Sequence, residues 1–212
     1  TIRKGDTVEL RKDGGDLAPA YFVDLVDLEQ APPPAPRPAG AWVSVAAEGA
    51  TPDRDADDDG PAIRSALAKA AAGGKKVWFP AGSFAIKLPL SLTAEHAGLE
   101  LRGAGLWHTL LTIKTPVSET LAARGLILVD AADVTIRDLK LDRIDNQRRC
   151  WVDGKMRTAA QLIMKSGNRL RVENTWLVHG DSPIWYSGQG GVFINNRVRS
   201  PYADGLHLQN EA

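Results

Sequence analysis

The sequence is short of several features that mark common classes of protein. It has one cysteine, Cys150, so no disulfide can form within the chain. Its 26 basic and 26 acidic residues balance, so it lacks the basic excess of a nucleic-acid-binding protein. No run of about 18 apolar residues is present, so no membrane-spanning helix is predicted. The hydrophobic content of 43% is nevertheless enough for a core.

The amino-terminal part divides by composition into two segments. Residues 1–30 hold two strand-like runs, 7–10 and 21–28, separated by Gly14 and Gly15. Two strands cannot form a core alone. We interpret them as the last hairpin of a β-sandwich, and an extension docked on the next domain is the alternative. The proline-rich segment 31–40 predicts an extended, stiff linker.

A new domain is predicted over residues 41–212. Four of the five residues at 55–59 are acidic, and we interpret this run as helix capping and solvation in preference to metal binding. Ile63, Leu67 and Ala70 then recur at helical spacing until the pair of glycines at 73–74. Residues 77–86 read as a strand, a Pro-Gly corner and a second strand.

The rest of the domain repeats a short unit of alternating apolar residues. Successive copies align on Leu101, Ile136, Val172 and Phe193, at intervals of 35, 36 and 21 residues. A period near 20 residues predicts stacked turns of parallel strands, each burying its apolar face on the next turn. An Asn or Asp at a fixed place suits a tight corner in the left-handed conformation. The two longer intervals leave room for loops, notably 142–158, which carries Arg143, Arg148, Arg149 and Trp151.

The start of this domain resembles a known group of enzymes. Residues 57–63 and 76–84 are similar to the beginning of many pectate-lyase-like β-helix proteins, in which a helix covers one end of the solenoid. The resemblance implies an all-β fold, a right-handed parallel β-helix with one amino-terminal capping α-helix. It is informative about fold and says little about the reaction, because this fold carries several activities.

A narrower resemblance lies near the end of the chain. Residues 184–185 and 193–210 are similar to the mycodextranase and α-1,3-glucanase family of glycoside hydrolases, which is known for an Ala-Asp-Gly turn followed by an apolar strand and an Asn. The resemblance implies a secreted enzyme that degrades an α-glucan, with α-1,3 linkages, by inversion. It also implies that residues 1–30 end a carbohydrate-binding-like β-sandwich that precedes the catalytic domain. It implies no cofactor, and although calcium occurs in such enzymes, nothing in this sequence indicates it.

Asp204 is the first catalytic candidate. Glycoside hydrolysis uses two carboxyl groups, which inverting enzymes hold about 6.5–9.5 Å apart. Asp204 follows the corner at Ser200 and Pro201, so we expect it where a strand begins, and by resemblance it matches the family's first catalytic aspartate. An Asp-Gly turn residue without chemistry is the alternative reading.

The family's remaining catalytic carboxylates form an Asp-Asp pair about one turn later. No such pair follows Asp204 in these 212 residues. We therefore expect that the chain alone lacks the complete catalytic set. Truncation is the favoured explanation, while completion of the β-helix by a second polypeptide and inactivity are the alternatives.

Several residues near Asp204 are candidates for binding a sugar. Asp181 lies one turn earlier, in an Asp-Ser-Pro sequence that also suits a plain turn. Trp185 and Tyr186 alternate in direction on a strand, so one of them should face outward and could stack on a sugar ring. His207 could hydrogen-bond a sugar hydroxyl or tune Asp204. Tyr202 and Asn210 belong to the resembling motif.

Two further classes of function stay open. A polysaccharide lyase or uronan-modifying enzyme needs a strong base beside an Arg or calcium, and Arg197 and Arg199 lie one strand before Asp204. A tailspike-like β-helix would bind glycans without cleaving them. No His/Cys cluster has the spacing of metal ligands, and the acidic run lacks the pattern of an EF-hand.

Overall fold

The structure is a computed structural model that describes residues 6–7, 9, 29–54, 57–113, 125–143, 151–152, 155–156, 162–165, 168–180, 182–199 and 204–209. By the density of internal contacts, the chain divides into two units, Thr1–Pro32 and Pro33–Ala212. The hairpin proposed for residues 1–30 falls almost wholly outside the described residues, so it stays a prediction. All of the described helices and strands belong to the second unit.

The strands of the second unit occur in successive turns. A short strand, β1 (Val43–Ser44), precedes helix α1 (Gly60–Ala72). The first turn contains β2 (Lys76–Phe79), β3 (Gly82–Ile86) and β4 (Leu90–Leu92). The second contains β5 (Glu100–Gly103), β6 (Thr109–Ile113) and β7 (Ile127–Val129).

The third turn is interrupted by a small hairpin. It contains β8 (Thr135–Arg137), β9 (Lys140–Arg143), the antiparallel pair β10 (Trp151–Val152) and β11 (Lys155–Met156), and then β12 (Ile163–Lys165). The fourth turn contains β13 (Arg171–Glu173), β14 (Trp176–Val178) and β15 (Ile184–Ser187). The fifth contains β16 (Val192–Ile194), β17 (Arg197–Arg199) and β18 (Leu206–Gln209).

Corresponding strands of successive turns form three parallel sheets. Sheet A has the order β1-β2-β5-β8-β13-β16, sheet B β3-β6-β9-β14-β17 and sheet C β4-β7-β12-β15-β18. Within sheet A, Leu101, Ile136, Val172 and Phe193 are register partners from one strand to the next. These are the residues on which the sequence repeat aligns, so the prediction of stacked parallel turns is confirmed.

The core fills the space enclosed by the three sheets. In register, sheet A contributes Val77, Leu101, Ile136 and Val172, all of which are buried. Helix α1 turns Ile63, Leu67 and Ala70 inward and contacts β1 and β2, so the predicted helix covers the end of the stack that precedes the first turn. Burying each Leu or Ile side chain contributes about 1.5–3 kcal/mol relative to exposure.

The acidic run before α1 makes one of the predicted hydrogen bonds to the helix start, through Asp58, and it also makes bonds to other segments of the chain. The Asp59 side chain makes no cap hydrogen bond; it is buried and accepts from the backbone N–H groups of Thr51 (2.8 Å) and Ala85 (2.9 Å). Asp58 accepts from the N–H of Gly60 at 3.0 Å and from Lys87 N–H at 3.1 Å. Both aspartates therefore tie the start of the helix to β3 and its flank.

The corners between sheets A and B use the residue types that the repeat predicted. Asp138, Asn174 and Asn195 have φ values of 58°, 48° and 52°. Their side chains are linked from turn to turn: Asn174 Nδ2 donates to Asp138 Oδ1 at 2.8 Å, and Asn195 Nδ2 donates to Asn174 Oδ1 at 3.3 Å. Asp138 Oδ2 also accepts from Arg102 Nε at 2.8 Å. The corner is thus a hydrogen-bonded ladder.

The proline-rich segment belongs to the second unit from Pro33 onward and packs against its first turns. Ala35 donates its N–H to Ala104 O at 2.8 Å and packs against Trp42, Trp78 and Ala104. Arg37 hydrogen-bonds the carbonyl of Trp42.

Among the described residues, no helix is long and apolar enough to cross a bilayer.

Candidate functional site

The candidate residues gather where the chain passes from sheet B to sheet C. In the second and third turns, this connection spans residues 114–126 and 144–162, and it is short in the fourth. Asp204 belongs to the fifth connection, two residues before β18, as the corner at Ser200 and Pro201 predicted. Every B-to-C connection leads into the amino-terminal end of a sheet C strand, so Asp204 lies at that end of sheet C.

Asp204 is held by a residue of the strand that follows it. Its Oδ2 lies 3.1 Å from His207 Nδ1, and the two side chains are 62% and 33% exposed. With the carboxylate ionised, Nδ1 carries the hydrogen and donates it, because an ionised carboxylate only accepts. The carboxylate is therefore oriented but still open to solvent.

His207 is in turn fixed by Trp185 of the preceding turn. The two residues are register partners in sheet C, and their rings stack with centroids 3.9 Å apart and planes at 21°. Trp185 Nε1 donates to Gln209 Oε1 at 3.2 Å, which fixes the indole orientation. Asp204, His207 and Trp185 thus form a continuous outward-facing group, which we call the sheet C triad.

Tyr186 points the opposite way. It is only 4% exposed, packs edge-on against Phe193 with centroids 5.6 Å apart, and donates its hydroxyl to Gln189 O at 2.7 Å. Burial raises the pKa of this hydroxyl. The structure therefore places Tyr186 in the core, away from a sugar-binding surface. Of the two aromatic residues on β15, Trp185 is the one that faces outward.

Three sequence candidates lie outside the described residues. Asp181, Tyr202 and Asn210 belong to this group, so their proposed contacts with substrate stay predictions. Ser182, next to Asp181, is buried two residues before β15.

A second ionisable pair, which the sequence did not reveal, lies near the carboxyl-terminal ends of the sheet B strands, where the connections to sheet C begin. Asp142, at the end of β9, lies 2.8 Å from Nδ1 of His179, which directly follows β14. The Asp142 side chain is 10% exposed, and Lys140 Nζ lies 3.7 Å from its other oxygen. Thr112, the register partner of Asp142, has a buried hydroxyl without a hydrogen-bond partner among the described residues. Turn-to-turn register brings Asp142 and His179 together. Because 37 residues separate them in the sequence, the sequence alone does not indicate this contact.

Metal-ligand geometry is not found in the part of the chain that the structure describes. There, no three His, Cys, Asp or Glu side chains are grouped closely enough to hold an ion. The acidic side chains at 57–59 accept hydrogen bonds from backbone and hydroxyl donors. What the described site offers is one exposed, oriented carboxylate beside an aromatic face, together with a second carboxylate that is mostly covered.

Comparison with known proteins first shows a likeness to a broad class, the pectate-lyase-like proteins. The model of the family described as rhamnogalacturonase A/epimerase, pectate lyase-like, matches residues 42–138. This region runs from β1 through the first two turns into the third, and includes α1. The comparison with curated protein sequences gave no match.

Solved structures narrow the resemblance. The catalytic domain of a GH87 α-1,3-glucanase, an aspartate-to-alanine variant in complex with nigerose, is 26% identical with a TM-score of 0.58; 84% of this chain and 29% of that one are covered. The Agl-KA catalytic domain is 19% identical with a TM-score of 0.63, covering 86% of this chain and 36% of that one. The resemblance to the α-1,3-glucanase family, first drawn from residues 193–210, is confirmed by the glucanase structures.

A protein with a different role shares the fold. PfbA, a surface adhesin of Streptococcus pneumoniae, is 15% identical with a TM-score of 0.60, and the match covers 74% of this chain and 38% of that one. At this identity the likeness concerns the fold alone. This chain spans between about a quarter and two fifths of the length of each of these three structures.

Proposed function

We propose that this chain is part of a secreted glycoside hydrolase, built on a right-handed parallel β-helix, that degrades an α-glucan with α-1,3 linkages by inversion. The observation that carries the proposal is the sheet C triad: an exposed carboxylate, a histidine that orients it, and a tryptophan face on the same outer surface. The 26% identity to an α-1,3-glucanase solved with nigerose supports the choice of substrate.

The triad assigns a role to each side chain. His207 donates to Asp204 and orients its carboxylate, which can then activate a water molecule as a general base. Trp185 stacks on His207 and keeps part of its indole exposed, which offers an aromatic surface to a sugar ring. An inverting mechanism adds a carboxylic acid about 6.5–9.5 Å away to protonate the leaving oxygen.

We infer that a further turn supplies the missing acid. The inward-facing side chains of the fifth turn, Val198, Leu206 and Leu208, are 42%, 38% and 63% exposed, whereas their register partners in the fourth turn are buried. Another parallel turn, from a continuing chain or a second polypeptide, would cover these side chains. It would also bring its carboxylates about 4.8 Å above the triad.

Secretion follows from the proposed substrate, because a polymeric glucan does not cross a membrane and must be degraded outside the cell.

Non-catalytic glycan binding is the second candidate function, favoured by the fold shared with an adhesin. A lyase is less well supported, because Arg197, on sheet B, packs over the Trp107 ring, with 4.9 Å between the guanidinium carbon and the ring centroid.

The test compares Asp204→Asn with its parent in a protein extended by the codons that follow in the gene. We expect reducing-sugar release from α-1,3-glucan to fall at least about 100-fold, since a positioned general base contributes about 10²–10⁴-fold. Asp130→Asn is the matched control, because Asp130 is exposed at the opposite end of the sheet C strands. Full activity of Asp204→Asn would refute the assignment, and release of unsaturated, ultraviolet-absorbing product would identify a lyase.

A further inference from the structure

The outer face of sheet B carries a column of side chains that the sheet C triad does not use. Ser83, Leu110, Lys140, Trp176 and Arg197 are register partners across all five strands of the sheet. They alternate with the inward-facing core residues, so they share the outer surface. Four steps between strands make the column about 19 Å long.

Two tryptophans and two cations meet on this column. Trp107, from the corner before β6, contacts Trp176 edge to face, with centroids 4.9 Å apart. Arg197 lies over the Trp107 ring at 4.9 Å, and Lys140 Nζ lies over the Trp176 ring at 4.8 Å. Both indoles are half-buried. Each ring is held rigidly by a cation and by the other ring, so little conformational entropy is lost when a ligand binds.

Trp107 also borders a cleft. The cleft has a volume of about 200 Å³. Its polar groups include the Asp53 carboxylate, the Ser83 hydroxyl and the Lys140 ammonium, while Trp107 and Leu110 provide apolar surface. The wall thus combines acceptors, donors and an aromatic surface.

We propose that this face of sheet B is a second carbohydrate-binding site, for a neutral hexose polymer, on a different sheet from the Asp204 site. Sugar hydroxyls both donate and accept, so they match a wall that holds carboxylate, hydroxyl and ammonium groups together. The C–H faces of pyranose rings pack on rigid indole surface. The parallel strands repeat about every 4.8 Å, which lets successive sugars of one chain meet successive turns.

Two carboxylates in or beside the cleft favour a neutral polymer over an acidic one. Lys140 is partly neutralised by Asp142, 3.7 Å away, and the exposed carboxylate of Asp53 lines the same cleft. A uronate placed there would meet a like charge. The site does not depend on hydrolysis, because it would serve a non-catalytic glycan binder as well as an enzyme. In an enzyme it would hold the polymer while sheet C carries out the reaction.

The test measures binding of a soluble α-1,3-linked gluco-oligosaccharide by calorimetry, with the 212-residue chain carrying Asp204→Asn so that the probe stays intact. We expect Trp107→Ala to weaken binding at least about tenfold, as the loss of a central aromatic contact does. We expect Trp107→Phe to restore most of the affinity. Binding that persists when Trp185→Ala is added to the background would locate this site away from the sheet C triad.

A matched pair of lysines distinguishes a loss of binding from a loss of folding. Lys140 and Lys76 each lie over a tryptophan ring, but Lys76 belongs to sheet A and lies over Trp42. Lys140→Gln should weaken binding several-fold and Lys76→Gln should leave it within about twofold. The proposal is overturned if Trp107→Ala and Lys140→Gln both bind as the parent does, or if an oligogalacturonate binds this face more tightly than the neutral probe.

Discussion

Trp185 and His207 stack at 3.9 Å although 22 residues separate them, because parallel register places one above the other on sheet C. The stack restricts the imidazole rotamer and holds Nδ1 toward Asp204. Orientation of the proposed base therefore depends on a contact between two turns of the coil. This arrangement makes His207 a positioning residue whose effect passes through Asp204.

The stack predicts a graded effect on activity in the extended protein. Trp185→Phe keeps a ring beneath His207, whereas Trp185→Ala removes it and frees the imidazole. We expect Trp185→Ala to lower kcat/KM about tenfold or more and Trp185→Phe to lower it less, because misplacement of a catalytic group is costly. The pH dependence of kcat should change for His207→Gln, and an unchanged pH profile would show that His207 has no influence on Asp204.

The buried hydroxyl of Tyr186 predicts an alkaline effect on stability. Burial raises its pKa above that of the unfolded chain, so its contribution is fully present below the unfolded pKa of about 10 and is lost as the pH rises through the folded value. Tyr186→Phe should lower the free energy of unfolding by about 1 kcal/mol at neutral pH through loss of the bond to Gln189. It should also flatten the decline above pH 10, as measured by urea unfolding at several pH values.

The corner ladder predicts different outcomes for two substitutions of Asn174. Its backbone has φ 48°, which glycine adopts without strain, and its amide joins Asp138 to Asn195. Asn174→Ala should cost about 2 kcal/mol or more, since it loses the bonds and strains the backbone. Asn174→Gly should cost less because it loses only the bonds. Equal losses in denaturant unfolding would show that the conformation at this corner does not matter.

The column of core residues predicts a large effect at Ile136. This side chain is fully buried between the register partners Leu101 and Val172. Ile136→Ala should lower the free energy of unfolding by about 2–5 kcal/mol because it leaves a cavity. Thr135→Ala, on the outward-facing position next to it, is the control and should cost far less. Similar losses for the two variants would contradict the inward orientation of Ile136.

The elements that the sequence predicted well are those governed by local pattern. The helix at Ile63 and Leu67, the corners at Asn174 and Asn195, and the alignment of Leu101 with Ile136 were all anticipated. Each depends on spacing along the chain or on the conformations open to one residue type. The acidic run was anticipated less well, because the partners of Asp58 and Asp59 are backbone groups of distant strands.

The sequence by itself determined the repeating turns, the helix at their start and the position of Asp204 at the beginning of a strand, since periodicity and turn chemistry act within about 20 residues. Only the tertiary structure decided that Trp185 faces outward while Tyr186 is buried, that His179 contacts Asp142, and that Trp107 meets Trp176. Insertions of unequal length separate these partners in the chain. Their contact is set by strand register, which depends on the packing of the whole coil.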